Sequence, residues 1–330
     1  MKRLAFTALS LGAALAIGAF SSLQSPYRGF DKEVILDIPR GAGTRQIARQ
    51  LAEAGVVRSQ WHFLAARALQ PSRALQAGEY QFLKPATAFE VYARIARGDI
   101  FYFEVTFPEG SNLFDMAHIL ESKGILPGAQ FIDAARDPSL IKDLVPEAPS
   151  LEGYLFPATY RLTRHTTARQ LTRDMTMRFR RAWKELNPTA PVHFTVTLAS
   201  LVEKETAVGG ERPLVASVFH NRLVKGMKLD CDPTTIYAAL LERRYRGTIY
   251  RSDLDSRNPY NTYQHAGLPP GPIANPGMKS LAAALRPART AHLYFVARPD
   301  GSGGHVFSSA IDAHNKAVAE YRRGQRKTNH

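Results

Sequence analysis

The chain repeats itself at an offset of 69 residues. Val34–Gly41 (VILDIPRG) parallels Phe103–Gly110 (FEVTFPEG), with Pro39 over Pro108 and Gly41 over Gly110. The same offset sets Ile47 over Met116, Ala48 over Ala117, Leu51 over Leu120, Gly55 over Gly124 and Val56 over Ile125. Each copy reads as a short alternating strand, a Pro-x-Gly turn and an amphipathic helix. Thr44 is the expected cap of the first helix, and Ser111 or Asn112 of the second. Gly55 and Gly124 are the expected stops. A second strand signal follows in each copy, at Gly78–Phe82 and Gly153–Phe156. Short strands alternating with helices in small units call for an α+β fold.

A helix is expected over residues 194–208, between Pro191 and the Gly209-Gly210 pair. Leu198, Leu201, Val202 and Glu205 recur at i, i+3, i+4 and i+7, one helix face. A carboxyl group therefore occupies the apolar stripe. Glu203, roughly 200° away around the helix, falls on the opposite, wet face. Burial raises a carboxyl pKa, which is how a glutamic acid keeps its proton near neutral pH and serves as a general acid. A buried Glu paired with an Arg, or capped by backbone amides, fits the same pattern.

The chain opens Met1-Lys2-Arg3, followed by an uncharged, largely apolar run from Leu4 to Phe20. That layout is a targeting segment, either a membrane anchor or a cleavable signal. Lys2 and Arg3 stay on the cytoplasmic side, so the rest of the chain is expected outside the cytoplasmic membrane. The net charge of +14 suits nucleic acid, an anionic membrane surface or a carboxylate-rich polymer. The targeting segment argues against nucleic acid. Cys231 is the single cysteine, so no intrachain disulfide forms. No His-Glu-x-x-His motif occurs, and neither a metal nor a cofactor is expected.

Arg161 to Lys184 is rich in arginine, with Leu171, Met175, Phe179, Ala182 and Trp183 as one apolar stripe. It reads as an amphipathic connecting helix. Further helices are expected from Pro213 to Gly226, from an Asp232 cap with Pro233 in the first turn, and from about Ser309 with Ile311, His314 and Val318 inward. Leu293–Val296 and His305–Phe307 read as a hairpin. Between Arg243 and Pro276 regular pattern is lacking. A loop of that length is functional or disordered, and its tyrosines and asparagines suit sugars, because rings stack on pyranose faces while amides bond hydroxyls.

The small strand-helix units resemble the LysM fold, which binds cell-wall glycan. The C-terminal half resembles the endolytic murein transglycosylases of the MltG/YceG-like family. The resemblance rests on Leu198–Thr206 (LASLVEKET), Val215–Leu223 (VASVFHNRL), Asp232-Pro233-Thr234, Tyr260–Tyr263 (YNTY), Gly267–Gly271 (GLPPG), Tyr294–Val296, Gly303–Phe307 (GGHVF) and His314-Asn315. These blocks occur in family order over residues 194–320. The resemblance implies a single-pass inner-membrane protein facing the periplasm. Its activity would cut nascent peptidoglycan strands between N-acetylmuramic acid and N-acetylglucosamine, leaving 1,6-anhydro ends and limiting strand elongation, in the neighbourhood of peptidoglycan synthases. The family's catalytic glutamate falls in the Glu-Lys-Glu-Thr block. Helix phase assigns it to Glu205, with Glu203 as the fallback. Asn221, Tyr260, Asn261, Tyr263 and His305 are the expected substrate-binding residues, and Asp232 is expected to cap its helix.

The expected organisation is an anchor over 1–21, a linker over 22–33, a LysM-like region of two units over 34–160, a basic helical connector over 161–192 and an α+β catalytic domain with a long substrate loop over 193–330. Two other readings fit the same residues: a non-catalytic membrane-tethered wall-binding protein, and a hydrolytic muramidase.

Overall fold

The repeat becomes two copies of one element order, β-α-α-β. In the computed structural model, which describes residues 14–71 and 74–328, the first copy is β1 (Val34–Ile38), α1 (Thr44–Glu53), α2 (Gln60–Leu69) and β2 (Gly78–Phe82), followed by α3 (Ala88–Arg97). The second is β3 (Phe103–Thr106), α4 (Leu113–Ser122), α5 (Gly128–Arg136) and β4 (Thr159–Leu162). β1 pairs antiparallel with β2, Val34 opposite Phe82 and Ile38 opposite Gly78; β3 pairs with β4. The 69-residue offset holds to the residue for α1 and α4. Ile47, Ala48 and Leu51 are buried in one, Met116, Ala117 and Leu120 in the other. Both turn glycines, Gly41 and Gly110, take positive φ, as do both helix stops, Gly55 and Gly124.

The caps differ from expectation in one copy. Asn112 caps α4, its Oδ1 accepting from the N–H groups of Phe114 and Asp115 while Asp115 accepts from Asn112 N–H. Thr44, by contrast, is the first helical residue of α1, and Gly43 precedes it without a side-chain cap. The strand expected at Gly153–Phe156 is also displaced. The N–H groups of Gly153 and Leu155 both donate to Asn275 Oδ1, at 2.9 Å each. Donors taken by a side chain cannot enter a strand ladder, and the strand forms later, at β4.

The chain divides into two compact units between Phe103 and Glu104. The first has its own core, which includes Ile38, Ile47, Leu51, Phe63, Tyr80 and Ile95. The second unit contains the second repeat copy together with everything after it, so residues 104–160 pack with residues 193–330. Residues 14–24 are helical. The start of the expected targeting segment, residues 1–13, lies outside the described residues. Among the described residues no helix is long and apolar enough to cross a membrane.

The second unit continues with α6 (Ala168–Glu185), the basic helix, whose expected stripe is buried. Then come α7 (Val192–Glu205), α8 (Arg212–Val224), α9 (Asp232–Leu241), the single turn α10 (Arg251–Leu254), α11 (Met278–Leu285), the antiparallel hairpin β5 (Tyr294–Ala297) and β6 (His305–Ser308), and α12 (Ile311–Thr328). α7 packs against α8, α9 and α11, and every residue from Thr195 to Val202 is buried. Over those residues it is an internal helix and not a two-faced one.

One buried polar cluster joins the second repeat copy to the long irregular stretch. Asn275 Nδ2 donates to Ser111 O and, at 2.8 Å, to Glu152 Oε1. Glu152 Oε2 accepts from Leu113 N–H and Tyr237 O–H, both at 3.0 Å. Gly110 N–H donates to Asn275 O at 2.9 Å. Burial pushes the Glu152 carboxyl up to about 8, against the pull of these donors.

Asn275→Ala strands the Gly153 and Leu155 N–H groups and one Glu152 oxygen, and is expected to cost about 3 kcal/mol in urea denaturation. The unfolded chain releases the Glu152 proton near 4.5, whereas the folded chain holds it to about 8. The folded state then binds the extra proton, so the stability from this group is complete below about 4.5 and lost as pH rises to about 8. Glu152→Gln is expected to flatten that fall in the urea midpoint.

Candidate active site

α7 ends at Glu205, and Thr206 leaves it in extended conformation. The two carboxylates of the Glu-Lys-Glu-Thr block therefore sit in the last turn, and their surroundings separate them. Glu203 is not on a wet face. Its side chain is 5% exposed and pairs with Arg212 Nη2 at 2.9 Å. Its other oxygen accepts from Gly277 N–H at 2.9 Å. Gly110, the turn of the second repeat copy, packs against it, so closely that a Cβ there would stand 3.3 Å from Glu203 Cγ. The phase argument failed because other segments cover Glu203: α8 supplies Arg212, and the segment before α11 supplies Gly277.

Among the described residues Glu205 has no arginine partner. Burial raises its pKa above the ordinary carboxyl value. A hydrogen bond with Cys231 opposes the rise, the Asp232 charge adds to it, and His305 opposes it. The negative end of the α7 dipole also disfavours a second negative charge at this position. The carboxyl opens onto a cleft of about 460 Å³. α8 lines it with Phe219 and Arg222, the following connection with Leu229 and Asp230, α9 with Asp232, the long irregular stretch with Tyr263, β5 with Tyr294 and Phe295, and α12 with Ile311, His314 and Asn315.

Of the other expected site residues, Tyr263 reaches the cleft. Its hydroxyl donates to Asp232 Oδ1 at 2.6 Å. Asp232 is thus not a helix cap; Cys231 occupies the cap position, and Asp232 is the first helical residue. Asn261 is fully buried. Its Nδ2 donates to the carbonyls of Asp253, Leu254 and Ser256, and its Oδ1 accepts from Thr235 O–H and Tyr263 N–H. Its amide shapes the loop that presents Tyr263. Tyr260 packs on Tyr237, ring centroids 5.1 Å apart, away from the cleft lining, and burial pushes its hydroxyl up to about 12. Asn221 Nδ2 donates to the carbonyls of Thr290 and His292, 2.9 Å each, fastening the approach to β5. His305 stands one layer behind the cleft wall. Its ring meets Phe295 edge-on at 5.4 Å, and Glu211 holds its Nδ1 at 2.7 Å and its N–H at 2.9 Å.

Arg222, Asp230, Tyr294, His314 and Asn315 line the cleft and were not among the expected site residues. Arg222 lies at i+3 from Phe219, a spacing that puts both on one face of α8. Its guanidinium donates to Leu293, Lys228 and Leu229 carbonyls, pairs with Asp230 at 3.1 Å, and lies 5.2 Å from the Tyr294 ring centroid. His314 stacks on the same ring at 5.1 Å. Among the described residues no group of three His, Cys, Asp or Glu side chains is placed to hold a metal. The cleft presents the Glu205 carboxyl group, whose pKa burial raises, the carboxylates of Asp230 and Asp232, and aromatic faces, a lining suited to a polar, ring-shaped ligand.

Comparisons with known proteins agree on one family. The YceG-like family model matches residues 36–320. A Bacillus subtilis (strain 168) protein named endolytic murein transglycosylase is 32% identical over 335 residues, covering 95% of this chain and 91% of that protein. A Streptococcus pneumoniae (strain D39) protein of the same name is 28% identical over 327 residues, 88% of this chain and 58% of the longer relative. The crystal structure of a yceG-like protein from Listeria monocytogenes superposes with a TM-score of 0.55 at 31% identity, covering 87% of this chain and 99% of that one.

Removing the partner of a buried charge is costly. Arg212→Ala leaves Glu203 buried without its cation and is expected to lower unfolding stability by about 3 kcal/mol in urea.

Proposed function

The chain belongs to the YceG-like family, and on that premise we propose that it is a peptidoglycan lytic transglycosylase acting endolytically, with Glu205 as its acid and base. The observation that carries the assignment is the contrast within one helix turn. Glu203 is tied to Arg212 and Gly277, whereas Glu205 is half-buried, raised in pKa by desolvation and open to the cleft. A general acid must hold its proton until the bond breaks.

In this reading the glycan lies across the cleft, its rings against Tyr263 and Tyr294, with Asn315 at its hydroxyls. Glu205 gives its proton to the leaving O4 as the bond to C1 of N-acetylmuramic acid breaks. The carboxylate so formed takes the proton of the same sugar's 6-hydroxyl as that oxygen closes on C1. The proton count returns to its start, no water is consumed, and the product ends in a 1,6-anhydro ring. Glycosidases that use water or a covalent intermediate need a second carboxyl group for that step; here the substrate's hydroxyl replaces it, which makes the reaction a lyase reaction. Asn261, Asn221 and His305 act as positioning residues, through Tyr263, the start of β5 and Phe295.

The β-α-α-β order of residues 34–82 supports the LysM-like reading of the first unit and hence a glycan contact there. The N-terminal segment is assigned to anchoring in the inner membrane, with the rest of the chain in the periplasm beside peptidoglycan synthases.

Incubation with uncrosslinked glycan strands tests the activity. Anhydro-ended fragments are expected by mass spectrometry; fragments heavier by one water would indicate a hydrolytic muramidase, and binding without cleavage a tether. Glu205→Gln is expected to abolish product formation while leaving the urea midpoint equal or higher, since the raised pKa marks a site that disfavours charge. Wild-type activity is expected to fall as pH rises through the elevated Glu205 pKa, because the acid form is lost. A rate that stays flat from pH 4 to pH 9 would remove Glu205 as the acid.

A further inference from the structure

Among the described residues, the ion pairs of the cleft leave one exposed carboxylate unpaired. Asp230 is paired with Arg222 Nη1 at 3.1 Å; the same Nη1 donates to the Lys228 and Leu229 carbonyls, and Nε to the Leu293 carbonyl. Glu205 sits in a setting that favours its neutral form. Asp232 lines the same wall, is exposed to the cleft, and has the Tyr263 hydroxyl on Oδ1 at 2.6 Å. A neutral hydroxyl fixes a carboxylate without cancelling its charge. Oδ2 has no hydrogen-bond partner among the described residues.

The backbone is built to put it there. Asp230 has φ of +50°, the left-handed region, which is uncommon outside glycine and which Asp and Asn tolerate better than other side chains. Two residues later α9 begins, so Asp232 sits in its first turn, where the helix dipole favours a negative charge. Cys231 between them is buried, its N–H on Thr262 Oγ1 at 3.0 Å. The segment is pinned on both sides of a carboxylate that faces open space.

We propose that Asp232 is a second catalytic residue, an electrostatic one, whose carboxylate stabilises the positive charge that develops at C1 and on the ring oxygen as the glycosidic bond breaks. The inference rests on the lytic transglycosylase reading above. Asp232 gains and loses no proton and forms no bond: the Glu205 proton goes to O4, the bond electrons leave with O4, and the 6-hydroxyl oxygen supplies the pair that closes the new ring. The cleft carries the same −1 from Asp232 before and after. Before the step, that charge helps Glu205 keep its proton; during the step it faces a growing cation. Tyr263 positions Asp232 through its hydroxyl, which holds Oδ1 and leaves Oδ2 to the sugar.

The groups that bear on Glu205 are Cys231, Asp232 and His305, with Arg222, Asp230 and His314 around the same cleft. Replacing Asp232 alone therefore has a defined sign. Asp232→Asn keeps the size and the acceptor for Tyr263. It is expected to lower kcat on glycan strands about 100-fold with KM within about threefold, and to move the Glu205 titration, read by carbon-13 NMR of the carboxyl group, about half a unit down. Asp232→Glu keeps the charge and is expected to recover at least a tenth of wild-type kcat. Tyr263→Phe is expected to fall between wild type and Asp232→Asn. A kcat for Asp232→Asn within threefold of wild type overturns the proposal. So does equal damage by Asn and Glu, which would make the residue structural, and so does an unmoved Glu205 titration. A wild-type chain that yields no anhydro ends overturns the functional reading itself, and the NMR arm still reports separately whether Asp232 acts on Glu205.

Discussion

Everything at the site follows from the burial of α7. A helix enclosed by α8, α9 and α11 leaves only Lys204 of its last turn exposed, and that turn carries two carboxyl groups. Each must be neutralised by a partner or by a proton. Glu203 receives an arginine and a backbone N–H. Glu205 receives neither, and its desolvated position at the negative end of the helix favours the protonated acid. The same packing that makes the helix stable thus assigns different chemistry to residues two apart.

The repeat is put to two uses. In the first copy, eight residues separate α2 from β2, and the pair closes on its own core. In the second, the stretch between α5 and β4 runs from 137 to 158 and carries Glu152, Gly153 and Leu155, which meet Asn275. Its turn, at Gly110, packs on Glu203, and Lys204 Nζ reaches Gly110 O at 3.3 Å. A unit that elsewhere packs alone has become a wall of the second unit, and it braces the end of α7.

The cleft is assembled from segments far apart in sequence: α7, α8, the turn into α9, the long irregular stretch, β5 and α12. Buried amides on its outside do the fastening. Asn221 ties α8 to the chain entering β5, Asn261 closes the loop that delivers Tyr263, and Asn275 anchors the far end of that stretch. Asn261 and Asn275 use both their amide oxygen and nitrogen in hydrogen bonds, the ordinary condition of a buried amide, while Asn221 uses its nitrogen.

Local pattern decided a good deal. The repeat offset, the turn glycines, the Asn112 cap, the stripe of α6 and the final hairpin were all legible, because each depends on neighbours within a few residues or on backbone conformations that few residue types accept. Glu205 stood out for the same reason, as a carboxyl group in an apolar stripe. What the sequence could not supply were partners. That Glu203 is buried depends on Arg212 and Gly277, that Gly153–Leu155 is not a strand depends on Asn275, and that Asp232 faces the cleft instead of capping α9 depends on Tyr263. Arg222, Tyr294 and His314 become one wall only when α8, β5 and α12 pack together. Helix phase fixes the direction of a side chain within its own helix; the environment it meets there is set by long-range packing, and the state of a charge is set by that environment.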